Sequence, residues 1–101
     1  MSGSSNQIHK AAINLTHTEQ ISVERDPPNT IVIVDGVVLR RNTKSLLIIR
    51  GQHWLEVAAY GAPGTSVSAI LKLNGIEISH ASVTIPSGLN EAYSGQVNFN
   101  V

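Results

Sequence analysis

The chain has 101 residues, 42% of them apolar and only 14% charged, with no cysteine and a formal net charge of zero. That length suits one small domain, residues 1–101, with room for one core but not for a core plus a deep cleft. Zero net charge removes the global field that would steer a protein to nucleic acid or acidic lipid; disulfides are excluded, and no apolar run approaches the ~18 residues of a membrane span.

The charge is unevenly divided. Residues 1–50 carry six Lys/Arg against four Asp/Glu, and residues 51–101 carry one against three. With so few charges, the surface must consist largely of Ser, Thr, Asn, Gln and Gly, which suits contact with protein or sugar. The leader MSGSSNQIHK lacks the apolar stretch of a signal peptide. Either the protein is made and used without the general secretory route or its leader has been trimmed, and a polar N-terminal arm is expected over residues 1–6.

No helical period of useful length occurs. The signal is period two, broken by turn residues every eight to twelve positions, which predicts an all-β sandwich or barrel. A weak first strand is predicted over Gln7–Leu15, then Glu19–Glu24, stopped by "DPPN" (Asp26–Asn29), whose two prolines donate nothing to a ladder. Thr30–Val34 and Val37–Arg40 flank Asp35-Gly36, a strong two-residue hairpin signal. The polar turn "RRNTK" leads to Ser45–Arg50. The strands His53–Tyr60, Ser66–Leu73, Ile76–Ile85 and Tyr93–Val101 follow, with Asn74-Gly75 joining two of them in a second hairpin. The total is eight or nine short antiparallel strands.

Alternation sorts the faces. Val97, Phe99 and Val101 point one way and Gln96, Asn98 and Asn100 the other; Val67, Ala69, Leu71 and Leu73 share a face. Thr30–Val34 and Leu46–Ile49 are apolar on both faces, which predicts central or covered positions for both.

The stretch "LLIIRGQHWLEVAAYGAPGTSVSAILKLNGIEI", followed by "VTIPSGLNEAYSGQVNFNV", resembles bacterial and phage immunoglobulin-like sandwich domains. The likeness is carried by a strand entering the Gly61–Gly64 turn, a short hairpin, and a Tyr-x-Gly step at Tyr93–Gly95 into an alternating last strand. It covers residues 45–101; the double proline and the Arg-Arg-Asn-Thr-Lys turn do not align with it. The resemblance implies an immunoglobulin-like antiparallel sandwich used for display, spacing or adhesion rather than catalysis.

The candidate contact residues lie around the single tryptophan. In His53–Tyr60, Leu55, Val57 and Ala59 form the core face, so Trp54, Glu56, Ala58 and Tyr60 lie opposite. The indole and the phenol are then about 20 Å apart, with a carboxylate between them. Trp54 fits three roles: the strand tryptophan of a sandwich core, the anchor of a protein interface, or a sugar platform. His53 and Lys72 are further contact candidates, with Gln96 and Asn98 on adjacent strands. Arg40, Arg41, Lys44 and Arg50 form the densest basic cluster. No aromatic interleaves them, so solvated loop and edge-strand charge is the favoured reading over a nucleic-acid site.

His9, His17, His53 and His80 lack the close spacing of a zinc site, and Glu24 with Asp26 is not a calcium loop. No G-x-S-x-G, H-E-x-x-H or phosphate-binding glycine loop occurs. The "NLT" sequon (Asn14–Thr16) stands without a secretory signal. No metal, cofactor or catalytic role is expected. The expected partners are protein subunits of an assembly or further copies of the chain, as in a phage or phage-like decoration or tail protein, with a small carbohydrate-binding module (lectin) as the alternative.

Overall fold

The computed structural model describes residues 17–101; the polar arm, the strand expected over Gln7–Leu15, His9 and the sequon lie outside the described residues. Nine antiparallel strands and no helix make up the described chain: β1 Thr18–Asp26, β2 Ile31–Val34, β3 Val37–Val38, β4 Ser45–Ile49, β5 Gln52–Tyr60, β6 Ser66–Leu73, β7 Ile76–Thr84, β8 Glu91–Tyr93 and β9 Val97–Asn100. They form two sheets. One has the order β4-β1-β6-β7; the other has β3-β2-β5-β8, with β9 also paired to β5.

The inner faces meet over one core. Ile21, Val23, Ile48, Val67, Ala69, Leu71 and Ala81 come from the four-stranded sheet, and Val32, Val34, Leu55, Val57, Ala59 and Phe99 from the five-stranded one. Each set occupies alternate positions of its strands, because successive side chains of a strand point to opposite faces. Branched Val and Ile suit such a half-buried pleat. Burying a side chain of this kind contributes roughly 1.5–3 kcal/mol, so the core is the dominant favourable term.

Both hairpins turn where the dipeptides predict. Asp35 and Gly36 have φ of 53° and 80°, and Asn74 and Gly75 have 52° and 79°. Two successive positive φ values define the type I′ turn, whose twist matches the flanking strands.

Two expectations change. β4 is not central: it lies at the edge of its sheet, and Leu47 and Ile49 are 65% and 61% exposed. Its inner residues do reach the core, but its outer apolar residues meet solvent among the described residues. The last predicted strand is split. Val57 N–H donates to Ser94 Oγ at 3.0 Å while Ser94 N–H donates to the Val57 carbonyl, also at 3.0 Å. A side-chain oxygen thus replaces a ladder carbonyl, and Gly95 follows at φ 75°. The chain leaves β5 there and rejoins it as β9.

Candidate functional site

β5 is the axis of the candidate site, because β2 pairs with one side of it and β8 and β9 share the other. Its alternation puts Leu55, Val57 and Ala59 in the core and leaves Trp54, Glu56, Ala58 and Tyr60 on the outer face. Register then brings neighbours to that face. Ile31 and Tyr93 flank Ala58, Ile33 stands beside Glu56, and Asn98 stands beside Trp54.

The face has two ends. At one, Tyr60 and Tyr93 are each 53% exposed, yet their hydroxyls lie 2.6 Å apart in a hydrogen bond. The rings meet edge to face, with centroids 6.1 Å apart and an interplanar angle of 86°. The Tyr60 hydroxyl bond pushes the Tyr93 phenol above its ordinary value, followed by desolvation and the charges of Tyr60 and Glu91. The pair projects from the sheet as a wedge rather than a flat platform. Beneath it Ala58 is only 3% exposed.

At the other end Trp54 is half-buried, which is neither the core tryptophan nor the open platform that the sequence offers. A Cβ at Gly36 would sit 3.8 Å from Trp54 Cζ2, so the indole lies beside the β2–β3 turn. Its Nε1 is buried without a hydrogen-bond partner among the described residues. A shallow cleft of about 340 Å³ runs past it, lined also by Gln52, His53, Asn98, Phe99 and Asn100.

His53 does not share the Trp54 face. It lies on the inward-pointing row, opposite Phe99, with ring centroids 5.7 Å apart. Its Nδ1 is 2.6 Å from Asp35 Oδ2 and its Nε2 is 2.6 Å from the Ile49 carbonyl. Burial lowers its pKa, but the Asp35 carboxylate and the Ile49 carbonyl outweigh that and leave it raised. Asp35 also accepts the Trp54 N–H at 3.1 Å.

The other candidates are dispersed. Lys72 belongs to the opposite sheet, on whose outer face it pairs with Glu24 at 2.8 Å; it is not beside Trp54. Arg40, Arg41 and Lys44 occupy the β3–β4 loop, while Arg50, at the far end of β4, pairs with Glu19 at 2.7 Å. The four therefore do not form one patch. Arg25, not singled out in the sequence, donates to the carbonyls of Arg40 (2.9 Å) and Arg41, and burial lowers its pKa. Among the described residues no three His, Asp or Glu side chains stand together as metal ligands, and no helix is long and apolar enough to cross a membrane.

Sequence reasoning missed Tyr93, Asp35, Ile31 and Ile33 as parts of this region. Asp35 carried a signal, but only as a hairpin residue. Tyr93 carried one only as the start of the Tyr-x-Gly step, because its contact with Tyr60 depends on the β5–β8 register. No family model, curated protein or solved structure matches the chain.

Proposed function

We propose that this chain is a non-enzymatic structural or display module of a larger assembly, packing against other protein subunits through the outer face of its five-stranded sheet. The observation that carries this reading is the exposed Tyr60–Tyr93 pair, fixed by its own hydrogen bond over Ala58 and continuous with Ile31, Ile33 and Trp54. Tyrosine and tryptophan are enriched at interface centres, because they bury much area at little cost in side-chain freedom. A pair already locked in place loses still less on docking.

The setting we infer is a phage or phage-like particle, as a decoration or tail protein. Support comes from the low charge, the lack of cysteine and the immunoglobulin-like pattern of residues 45–101. The His53–Asp35 pair argues for the non-enzymatic part. Its Nε2, which would take a nucleophile's proton in a triad, already faces the Ile49 carbonyl.

One observation favours a second reading, a carbohydrate-binding module. Trp54 shares its shallow cleft with the amides of Gln52, Asn98 and Asn100, a mixture of apolar face and hydrogen-bonding groups suited to sugar hydroxyls. The edge-to-face tyrosines weigh against it, since they offer no flat stacking surface.

Sedimentation velocity over a concentration series separates the two readings, with a second copy as the first occupant tested. The native chain is expected to self-associate, and a Tyr60→Ser/Tyr93→Ser variant to sediment as a monomer at unchanged Tm. A native chain that stays monomeric throughout overturns this assembly. Glycan-array binding that Trp54→Ala abolishes at unchanged Tm moves the conclusion to the sugar reading.

A further inference from the structure

The candidate face ends at the β2–β3 turn, and one histidine bonds Asp35 of that turn. Three chain segments converge on His53: Asp35 from the turn, Ile49 from the end of β4, and Phe99 from β9. Both ring nitrogens are engaged at 2.6 Å. Both partners are acceptors: a backbone carbonyl has no proton to give, and neither has an ionised carboxylate. Only the imidazolium, with two N–H groups, satisfies both. The neutral ring carries one N–H, so a lone pair must then face either Ile49 O or Asp35 Oδ2. Contact with Phe99, itself only 5% exposed, opposes rotation of the ring away from both.

Asp35 connects His53 to the candidate face. Its second oxygen accepts the Trp54 N–H at 3.1 Å, and its own N–H donates to the Trp54 carbonyl at 3.0 Å. Gly36 follows, against the indole edge.

We propose that His53 is a protonation-operated clip, which as an imidazolium fastens the Asp35–Gly36 turn beside Trp54 and as a neutral imidazole releases it, so that pH regulates one end of the docking face. The regulatory consequence rests on the docking reading above; the clip itself does not.

The surrounding charges leave Asp35 in command. Arg50, next to Ile49, is occupied by Glu19 of β1, and the Arg50 backbone N–H donates to the carbonyl of His17, a further titratable residue at that end. β9 brings only the uncharged Asn98 and Asn100 alongside Phe99. In the facing sheet, the ionisable Lys72, Glu77 and His80 lie at outward or exposed positions of β6 and β7. Because the His53 pKa is raised on folding, the fastening is complete below the ordinary value of about 6.5. It is lost as pH rises through the higher folded value.

The test follows the ring nitrogens of the full chain by NMR across this range, together with hydrogen exchange at the Asp35 and Trp54 amides, which bond across the turn. His53 is expected to titrate above about 6.5. Over the same step, exchange corrected for base catalysis should quicken about tenfold, the scale of one charge-assisted hydrogen bond. His53→Gln should remove that step. A His53 that titrates at or below its ordinary value, or amides that ignore its titration, overturns the clip. The readout needs no partner: a monomeric chain with a clear His53 step overturns docking onto a second copy alone, and a self-associating chain without the step overturns the clip alone.

Discussion

The outer face of the four-stranded sheet carries Gln20, Ser22, Glu24, Ser68, Lys72, His80 and Ser82 over β1, β6 and β7, with Ile70 in its middle and the exposed Leu47 and Ile49 along its β4 edge, whereas the outer face of the five-stranded sheet carries Ile31, Ile33, Trp54, Ala58, Tyr60 and Tyr93, with Asn98 beside Trp54. Both faces are backs of the same sandwich, and both arise from strands that alternate. Over β1, β6 and β7 the first is mostly small hydroxyls and a Lys72–Glu24 pair, groups that water serves well, and its apolar residues are Ile70 and the β4 edge. The other gathers aromatic and branched side chains around two carboxylates, Glu56 in the middle of β5 and Glu91 beside Tyr60. Alternation decides which residues leave the core; the chemistry of those that leave separates a solvent face from a face suited to protein contact.

Paired lysines placed on the two faces give the largest expected difference. Ala58 is 3% exposed between Ile31 and Tyr93, so Ala58→Lys should cost about 1–3 kcal/mol through overpacking and displacement of the Tyr93 ring. Ser68→Lys lies beside Ser82 and Asp26 on the polar face, and should stay within about 0.5 kcal/mol of the native chain. Denaturant unfolding of the two variants measures the contrast, and equal losses would break it.

A subtler difference concerns the tyrosine wedge. Tyr60→Phe removes the strongest influence on the Tyr93 phenol, so ultraviolet titration should show Tyr93 ionising at lower pH than in the native chain. An unchanged midpoint would mean that the pair is not joined in solution. The smallest effect belongs to the polar face. The Lys72–Glu24 pair is partly exposed, at 32% and 53%, so Glu24→Gln should change stability by under about 1 kcal/mol, and less in high salt. A larger loss would place that face among the structural elements of the fold.

Much of this contrast was legible before any strand was paired. Leu55, Val57 and Ala59 declared the core face of β5, and Asp35-Gly36 and Asn74-Gly75 declared their turns. Each of these signals resides in a few consecutive residues, where steric limits on φ and a period of two act directly. The apolar double face of Leu46–Ile49 misled, because burial depends on the number of neighbouring strands, and β4 has β1 on one side only among the described residues.

The sequence by itself thus determined most of the described strands, the two hairpin turns and the inward rows of β5 and β6, all set by local conformation. Only the tertiary structure decided that Tyr93 meets Tyr60, that Asp35 clasps His53, and that Lys72 lies on the opposite sheet from Trp54. Those relations cross 18 to 33 residues of chain. They follow from strand order and register, which the packing of one shared core selects and no short stretch encodes.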